Sequence, residues 1–371
     1  MLKILLIAGA RPNFMKVASI YAEMRRRQAE FSPMIVHTGQ HYDAAMSGAF
    51  FEDLKMPRAD VHLGVGSASH AVQTAKIMTE FEPVVLREEP DWVLVVGDVN
   101  STIACALVCS KLGIKIAHVE AGLRSRDRTM PEEINRILTD AISDLLLTTS
   151  QDADENLLAE GIPQEKIRFV GNVMIDSLRE HLELSTSSNI REDLKLTQGE
   201  YAVVTLHRPS NVDDKTTLSG IMNSLMEIAK DVPVVFPVHP RTRVKIDEFG
   251  VNAGGNPNGS EGVSSAGITM IEPLGYLDFM RLYSGAKLVL TDSGGLQEET
   301  TVLGIPCLTL RENTERPITI EMGTNILVGT NPEKIKAAAF AALDDDSKHE
   351  TKIPPLWDGK AAGRICDELL R

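Results

Sequence analysis

One stretch restricts the fold of this chain more than any other. Ala286 to Leu290 is an apolar run with the length and character of a buried parallel strand; Asp292 through Gly295 breaks it, and a helix restarts near Leu296. A strand that turns through Ser-Gly-Gly into a helix leaves the first helical amides without intrahelical acceptors, at the carboxyl edge of a sheet and the positive end of a helix. Such a turn suits a phosphate or pyrophosphate, and it equally serves as a tight glycine turn with an acidic helix start. Glu298 and Glu299, less than two turns on, are placed for neutral hydroxyls of the same ligand, such as a ribose diol.

The same unit of apolar run, polar turn and helix recurs along the 371 residues, long for one core and comfortable for two. Strands around Lys3 to Ile7, Met34 to His37, Trp92 to Gly97, Lys115 to Val119, Leu145 to Thr148 and Lys166 to Val170 alternate with helices. They make a complete α/β domain over residues 1–175. A connecting helix from Asp176 and a polar linker from Ser185 to Leu194 lead to a second alternation, residues 176–352, with strands near Tyr201, Val234, Ile268, Ala286, Pro306 and Asn325. Residues 249–266, rich in Gly, Asn and Ser, read as a mobile loop, and residues 353–371 as a segment ending in a helix.

A formal charge of −14 argues against a non-specific nucleic-acid or anionic-membrane binder. No apolar run approaches 18 residues and the first residues enter a strand directly, which points to a cytoplasmic protein without a membrane span. The four cysteines, 105, 109, 307 and 366, lack tight metal spacing and read as reduced, packed thiols.

Candidate chemistry gathers where strands end. Arg11 follows the first strand and Lys16 lies one helical turn in, with no GxGxxG between them. Asp98 follows the strand at Trp92, either as a helix cap or as a catalytic carboxylate, and Glu120 follows the next strand, so two neighbouring strand ends deliver carboxylates. Glu132 and Arg136 are spaced to pair on one helical face. His207 and Arg208 follow the first strand of the second half. His41 and Asp43 share a loop, but spacing supplies no third ligand, so no metal is expected.

The ordered blocks Ala10-Arg-Pro with Lys16, Val96-Gly-Asp98, the run from His118 to Arg124 (HVEAGLR), the run from Pro131 to Arg136 (PEEINR), Gly171-Asn172, His207-Arg208, His239-Pro240 and Asp292 to Glu299 span most of the chain. Together they resemble the non-hydrolysing UDP-N-acetylglucosamine 2-epimerase family. The resemblance implies two Rossmann-like domains in a GT-B arrangement with a central cleft, a homodimer, and a terminal helix packed on the first domain. It implies reversible C2 epimerisation of a UDP-sugar by elimination and re-addition of UDP, without nicotinamide or other cofactor. It also implies that Lys16, Asp98, Glu120, Glu132 and His207 form the catalytic centre, and that Arg11, Ser293, Gly294, Gly295 and Glu299 hold UDP. Asn13 stands where the family pattern has glutamate, and Pro209-Ser210 where arginine-glutamate is usual. These departures leave open a relative acting on a modified UDP-amino sugar; a GT-B glycosyltransferase using a UDP-sugar donor is the alternative from another class.

Overall fold

The structure, a computed structural model, describes residues 1–9, 11–39, 58–251, 267–344 and 352–371, without the side chains of Arg11 and Pro12. His41 and Asp43, where no metal is expected, and most of the Gly/Asn/Ser-rich stretch lie outside the described residues. The chain divides into two compact units, Met1–Arg179 with Pro355–Arg371, and Glu180–Pro354.

The first unit is built on seven strands: β1 (Leu2–Ala8), β2 (Phe31–His37), β3 (Val61–His62), β4 (Trp92–Val96), β5 (Lys115–Ala121), β6 (Leu145–Thr148) and β7 (Ile167–Phe169). They lie in the order β3-β2-β1-β4-β5-β6-β7, every pairing parallel. A parallel sheet covered on both faces needs strands that are apolar throughout. Leu5, Ile7, Val93 and Val95 accordingly pack with Phe81 and Val85 of helix His70–Glu88 and with Cys105 and Cys109 of helix Asn100–Leu112. All four cysteines are free and buried, and burial pushes the Cys109 thiol up to about 12. The terminal helix Ala361–Leu369 belongs to this unit, its first amides donating to the Asp176 carboxylate at 3.1 and 2.8 Å. Trp357, just ahead of it, is buried and donates from Nε1 to the Thr149 carbonyl at 2.9 Å.

The second unit carries β8 (Ala202–Thr205), β9 (Val234–Pro237), β10 (Ile268–Ile271), β11 (Leu288–Thr291), β12 (Cys307–Thr309) and β13 (Asn325–Leu327), ordered β10-β9-β8-β11-β12-β13. Val204, Phe236, Leu290 and Leu308 form its core with Leu218, Ile221, Met222 and Leu225 of helix Lys215–Ile228. The expected linker from Ser185 holds one short helix, Ile190–Asp193.

Both sheets are the parallel α/β kind expected from the alternation, and they share one topological event. The chain winds outward from its first strand, β1 or β8, then jumps back across it to start β4 or β11. Open α/β sheets bind ligands where the winding reverses, outside the carboxyl ends of the strands. The candidate residues stand on those ends.

Candidate active site

One strand from the reversal point of the first sheet, β5 leaves its ladder. Val119 pairs with Leu147 and Ala121 with Thr148, so Glu120 is an extra residue between them, and its φ is +68°. A non-glycine residue in that region costs about 1–3 kcal/mol and persists only where its surroundings hold it. The kink directs the Glu120 side chain to Lys16, one turn inside helix Arg11–Arg26, with Nζ donating to Oε2 at 2.5 Å. Glu120 is 4 % exposed, and its second oxygen, Oε1, is buried without a hydrogen-bond partner among the described residues. A buried carboxylate with one oxygen neutralised and the other idle is costly unless a ligand or a proton uses it.

Gly97 ends β4 beside this pair, also at positive φ, +68°. A β-carbon there would sit 3.7 Å from Glu120 Oε2 and 3.8 Å from Lys16 Nζ. Asn13 packs alongside, its Nδ2 donating to the Val96 carbonyl at 2.8 Å. A glutamate at this position would have no hydrogen to give that carbonyl at neutral pH. The neighbouring Asp98 is not the cap of helix Asn100–Leu112, whose N-cap is Val99. Its Oδ2 instead accepts from Arg136 Nε at 3.0 Å and pairs with Nη2 at 2.9 Å, while its side chain stays 31 % exposed.

Arg136 therefore has a different partner from the one helical spacing suggested. It bonds Asp98 and, through Nη1, Glu133, and no ion pair joins it to Glu132. Three and four residues are equally good spacings on a helix; burial decides between them, because Glu133 also accepts the Ser125 and Arg126 amides, each at 2.9 Å. Glu132 stays half-buried in the first turn of helix Pro131–Ile142, without an ion pair among the described residues.

At the reversal point of the second sheet the polarity is turned round. Asp292 follows β11 directly, is fully buried, and points inward. Its Oδ2 accepts from the amides of His207 at 2.9 Å and Arg208 at 2.8 Å and from Asn211 Nδ2 at 3.2 Å, while Oδ1 lies 2.8 Å from His207 Nδ1. Burial works to raise the Asp292 carboxyl, yet the His207 ring and these amides outweigh it and hold it below the ordinary value. The carboxylate can only accept, so Nδ1 of His207 carries hydrogen and Nε2 is the nitrogen left for solvent or ligand. The His207 side chain is 44 % exposed, which fits that use.

Ser293 then caps helix Gly294–Leu303 by position alone, since its side chain makes no capping bond. Gly294 and Gly295 occupy the first turn, where amides have no intrahelical acceptor. Gly294 has a second reason to be glycine: a β-carbon there would meet Arg316 Nη1 at 2.6 Å. Arg316 is held by Glu298 at 2.7 Å and Glu315 at 2.6 Å, and Glu315 also binds Arg311 at 2.7 Å. With Arg208 3.8 Å from Glu315, three arginines meet two glutamates beside the positive end of the helix. Glu298 is thus an internal ion-pair partner through Oε1. Glu299 is buried, and burial with the adjacent Glu298 charge pushes its carboxyl up to about 7. Near neutral pH it can donate or accept a hydrogen bond.

The structure brings together Lys16 and Glu120, places Asp98 on the adjacent strand end, and groups His207 with Ser293, Gly294 and Gly295. Arg11 opens the first helix, but its side chain lies outside the described residues. Asp292, Arg136, Arg316 and Asn13 were not singled out by sequence reasoning as site residues. Among the described residues there is no group of three or more His, Cys, Asp or Glu that could hold a metal ion, and no helix long and apolar enough to cross a membrane.

Comparison with known proteins completes the assignment. The family model described as UDP-N-acetylglucosamine 2-epimerase matches residues 23–370. The UDP-N-acetylglucosamine 2-epimerase of Methanocaldococcus jannaschii is 43 % identical over 369 residues, 98 % of each chain. The UDP-2,3-diacetamido-2,3-dideoxy-D-glucuronate 2-epimerase of Pseudomonas aeruginosa is 41 % identical over 374 residues, the whole of both chains. A crystal structure of the M. jannaschii UDP-GlcNAc 2-epimerase in complex with UDP-GlcNAc and UDP superposes with a TM-score of 0.88 at 42 % identity, covering 100 % of this chain and 99 % of that one. With its family pattern matched over nearly its full length, on two parallel sheets of the expected kind, the chain belongs to the UDP-N-acetylglucosamine 2-epimerase family.

Proposed function

We propose that this protein interconverts UDP-N-acetylglucosamine and UDP-N-acetylmannosamine at C2 without hydrolysis. The observation that carries the reading is Glu120: a strained, buried carboxylate with one oxygen on Lys16 and the other without a partner among the described residues. The hydrogen at sugar C2 is scarcely acidic, so simple removal and return is too slow. UDP on the neighbouring carbon opens another route. A base takes the C2 proton, the C1–O bond to UDP breaks with its electron pair, and a C1=C2 double bond forms, giving a 2-acetamidoglucal. Return of UDP to C1 with protonation of C2 from the opposite face gives the epimer.

Proton transfer on two faces calls for two positioned acid–base groups. Glu120 and Asp98 fill those roles, with Lys16 and Arg136 setting their charge and Glu132 as a further carboxylate near the sugar. Departure of UDP calls for hydrogen-bond donors to its growing negative charge. His207, held by Asp292, and the amides of Ser293, Gly294 and Gly295 supply them, with Arg11 at the phosphates and Glu299 at the ribose hydroxyls. We further propose a homodimer, which the exposed side chains of Leu86, Leu112 and Leu138 on three helices of the first unit support, and a reducing, cytoplasmic setting for the free buried thiols. A product of this kind suits polysaccharide assembly.

The test is proton NMR of the purified chain with UDP-N-acetylglucosamine in D₂O. UDP-N-acetylmannosamine carrying deuterium at C2 is expected. Free N-acetylmannosamine would move the chain to hydrolytic chemistry, and an unchanged spectrum from folded, UDP-binding protein would overturn the substrate. A second reading, a diacetamido uronic acid as the sugar, is favoured by the P. aeruginosa relative and by Asn13. Turnover of that UDP-sugar alone would select it.

A further inference from the structure

The two carboxylates at the first sheet's edge stand on backbone that is itself held by a buried polar assembly with no part in the chemistry above. His118, in β5 and fully buried, lies with Nε2 2.8 Å from the Gly97 carbonyl and Nδ1 2.6 Å from Asp140 Oδ1. The other Asp140 oxygen accepts from the Gly122 amide at 3.1 Å and pairs with Arg124 Nη2 at 2.7 Å. Arg124 is in turn gripped by Glu160 through Nε at 2.8 Å and Nη2 at 2.7 Å. Burial works to raise the Asp140 carboxyl, but His118 and Arg124 outweigh it and hold it below the ordinary value.

Two consequences follow from donor and acceptor chemistry. A carbonyl and a carboxylate can both only accept, so a ring that bonds both carries hydrogen on both nitrogens. His118 is then a cation, balanced by Asp140, in the same way that Arg124 is balanced by Glu160. The second consequence is positional. Asp140 grips β5 on both sides of the Glu120 kink, through His118 two residues before it and Gly122 two residues after it. Through His118 it also fixes the Gly97 carbonyl, one residue before Asp98.

The rest of the Gly97 turn is held as tightly. The Val96 carbonyl accepts from Asn13 at 2.8 Å and Thr102 Oγ1 at 2.9 Å, the Asp98 carbonyl accepts from Asn135 at 2.8 Å, and the Gly97 amide donates to the Val119 carbonyl at 3.1 Å. Three successive carbonyls each receive a side-chain donor, in a turn whose Gly97 has positive φ and lies beside the positive-φ Glu120 of the adjacent strand. Strained backbone persists only where its surroundings over-determine it. His118 and Asp140 are what over-determine it here.

We infer that His118 and Asp140 are positioning residues for the proton-transfer carboxylates: a buried imidazolium–carboxylate pair that sets Asp98 and Glu120 relative to each other while touching neither substrate nor reacting atoms. The inference rests on the epimerase reading for what Asp98 and Glu120 do. A misplacement of about 1 Å at a reacting group can cost about 10²-fold in rate, so loss of the pair acts on turnover before it acts on UDP binding, which the proposed function gives to Arg11 and to groups of the other sheet, none of them bonded to the pair among the described residues.

Two measurements test it on the full chain. Nitrogen-15 NMR of the imidazoles in the wild-type protein, at the pH of the assay, is expected to show protons on both nitrogens of His118. A ring with a single proton cannot donate to both the Gly97 carbonyl and the Asp140 carboxylate, and overturns the inference. This arm needs no turnover, so its failure is distinct from failure of the epimerase reading, which wild-type inactivity on UDP-N-acetylglucosamine would reveal. In the second arm, Asp140→Asn is expected to lower kcat at least tenfold while KM and the affinity for UDP change less than threefold. Glu160→Gln, at the outer end of the same network, should lower thermal stability and leave kcat unchanged. Equal kcat in folded Asp140→Asn, or loss of kcat and UDP affinity in step, overturns the positioning role. Should Asp140→Asn not fold, His118→Gln is read by the same split and the NMR arm stands unaffected.

Discussion

Two aspartates occupy the same place in the two sheets and do opposite things. Asp98 follows β4 and Asp292 follows β11, and each of those strands lies directly across the first strand of its sheet. The Asp98 side chain is 31 % exposed and Asp292 is fully buried. A glycine between strand and aspartate makes the difference: Gly97, at positive φ, carries the chain one residue further before Asp98, whereas Asp292 stands at the strand's end and turns under the His207 loop. The first edge therefore presents acids backed by cations. The second presents N–H donors backed by acids. On the proposed function, the first edge is the place for the proton and the second the place for the leaving group.

The largest effect that could break this comparison is Glu120→Gln. If the acid edge does the proton chemistry and the donor edge holds UDP, kcat should fall by about 10²–10⁴-fold, the usual worth of an acid–base group. Calorimetric titration with UDP should meanwhile give an affinity close to wild type. A parallel loss of UDP binding would mean that the division of labour is wrong.

A stability comparison comes next. Lys16→Met leaves the buried Glu120 without its only counter-ion among the described residues, and removing one partner of such a pair costs about 3–5 kcal/mol. Denaturant unfolding should show that loss. His207→Gln should cost less than half as much, because Asp292 keeps the two backbone amides and Asn211. Equal losses would say that the two edges are not differently supported.

The smallest effect is a pH dependence confined to the donor edge. Glu299 is held at about 7 against an ordinary value of 4.5. Between those values the native state keeps a proton that the unfolded chain has released, so stability is highest below the lower value and drains away as pH rises through the upper one. Glu299→Gln should remove that decline in the denaturant midpoint between about pH 4.5 and 7, and an unaltered decline would place its origin elsewhere.

Much of this was legible in the sequence because strand-ending residues announce themselves. Apolar runs fixed where strands stop, so Asp98, Glu120, His207 and Ser293 could be named from position alone. What could not be read was who touches whom. Lys16 and Glu120 are 104 residues apart, and Arg136 chooses between two equally spaced glutamates by burial, a property of the assembled fold. The inward turn of Asp292 depends on a single missing residue relative to Asp98, visible only when the two sheets are aligned. Asn13 read as a departure from the family pattern; in the structure it is a donor to the Val96 carbonyl, which gives it a local physical reason.

The terminal segment has a consequence for how the chain comes into being. Trp357 and helix Ala361–Leu369 complete the first unit, yet the ribosome makes them after the whole of the second. Glu180–Pro354 can close its core while Asp176 and Thr149 of the first unit still lack the partners that Trp357, Ala361 and Ala362 bring. Domains fold as units during synthesis, so the half of the molecule that begins first finishes last. A nascent chain stalled before Trp357 should therefore carry a mature second unit joined to an unfinished first one.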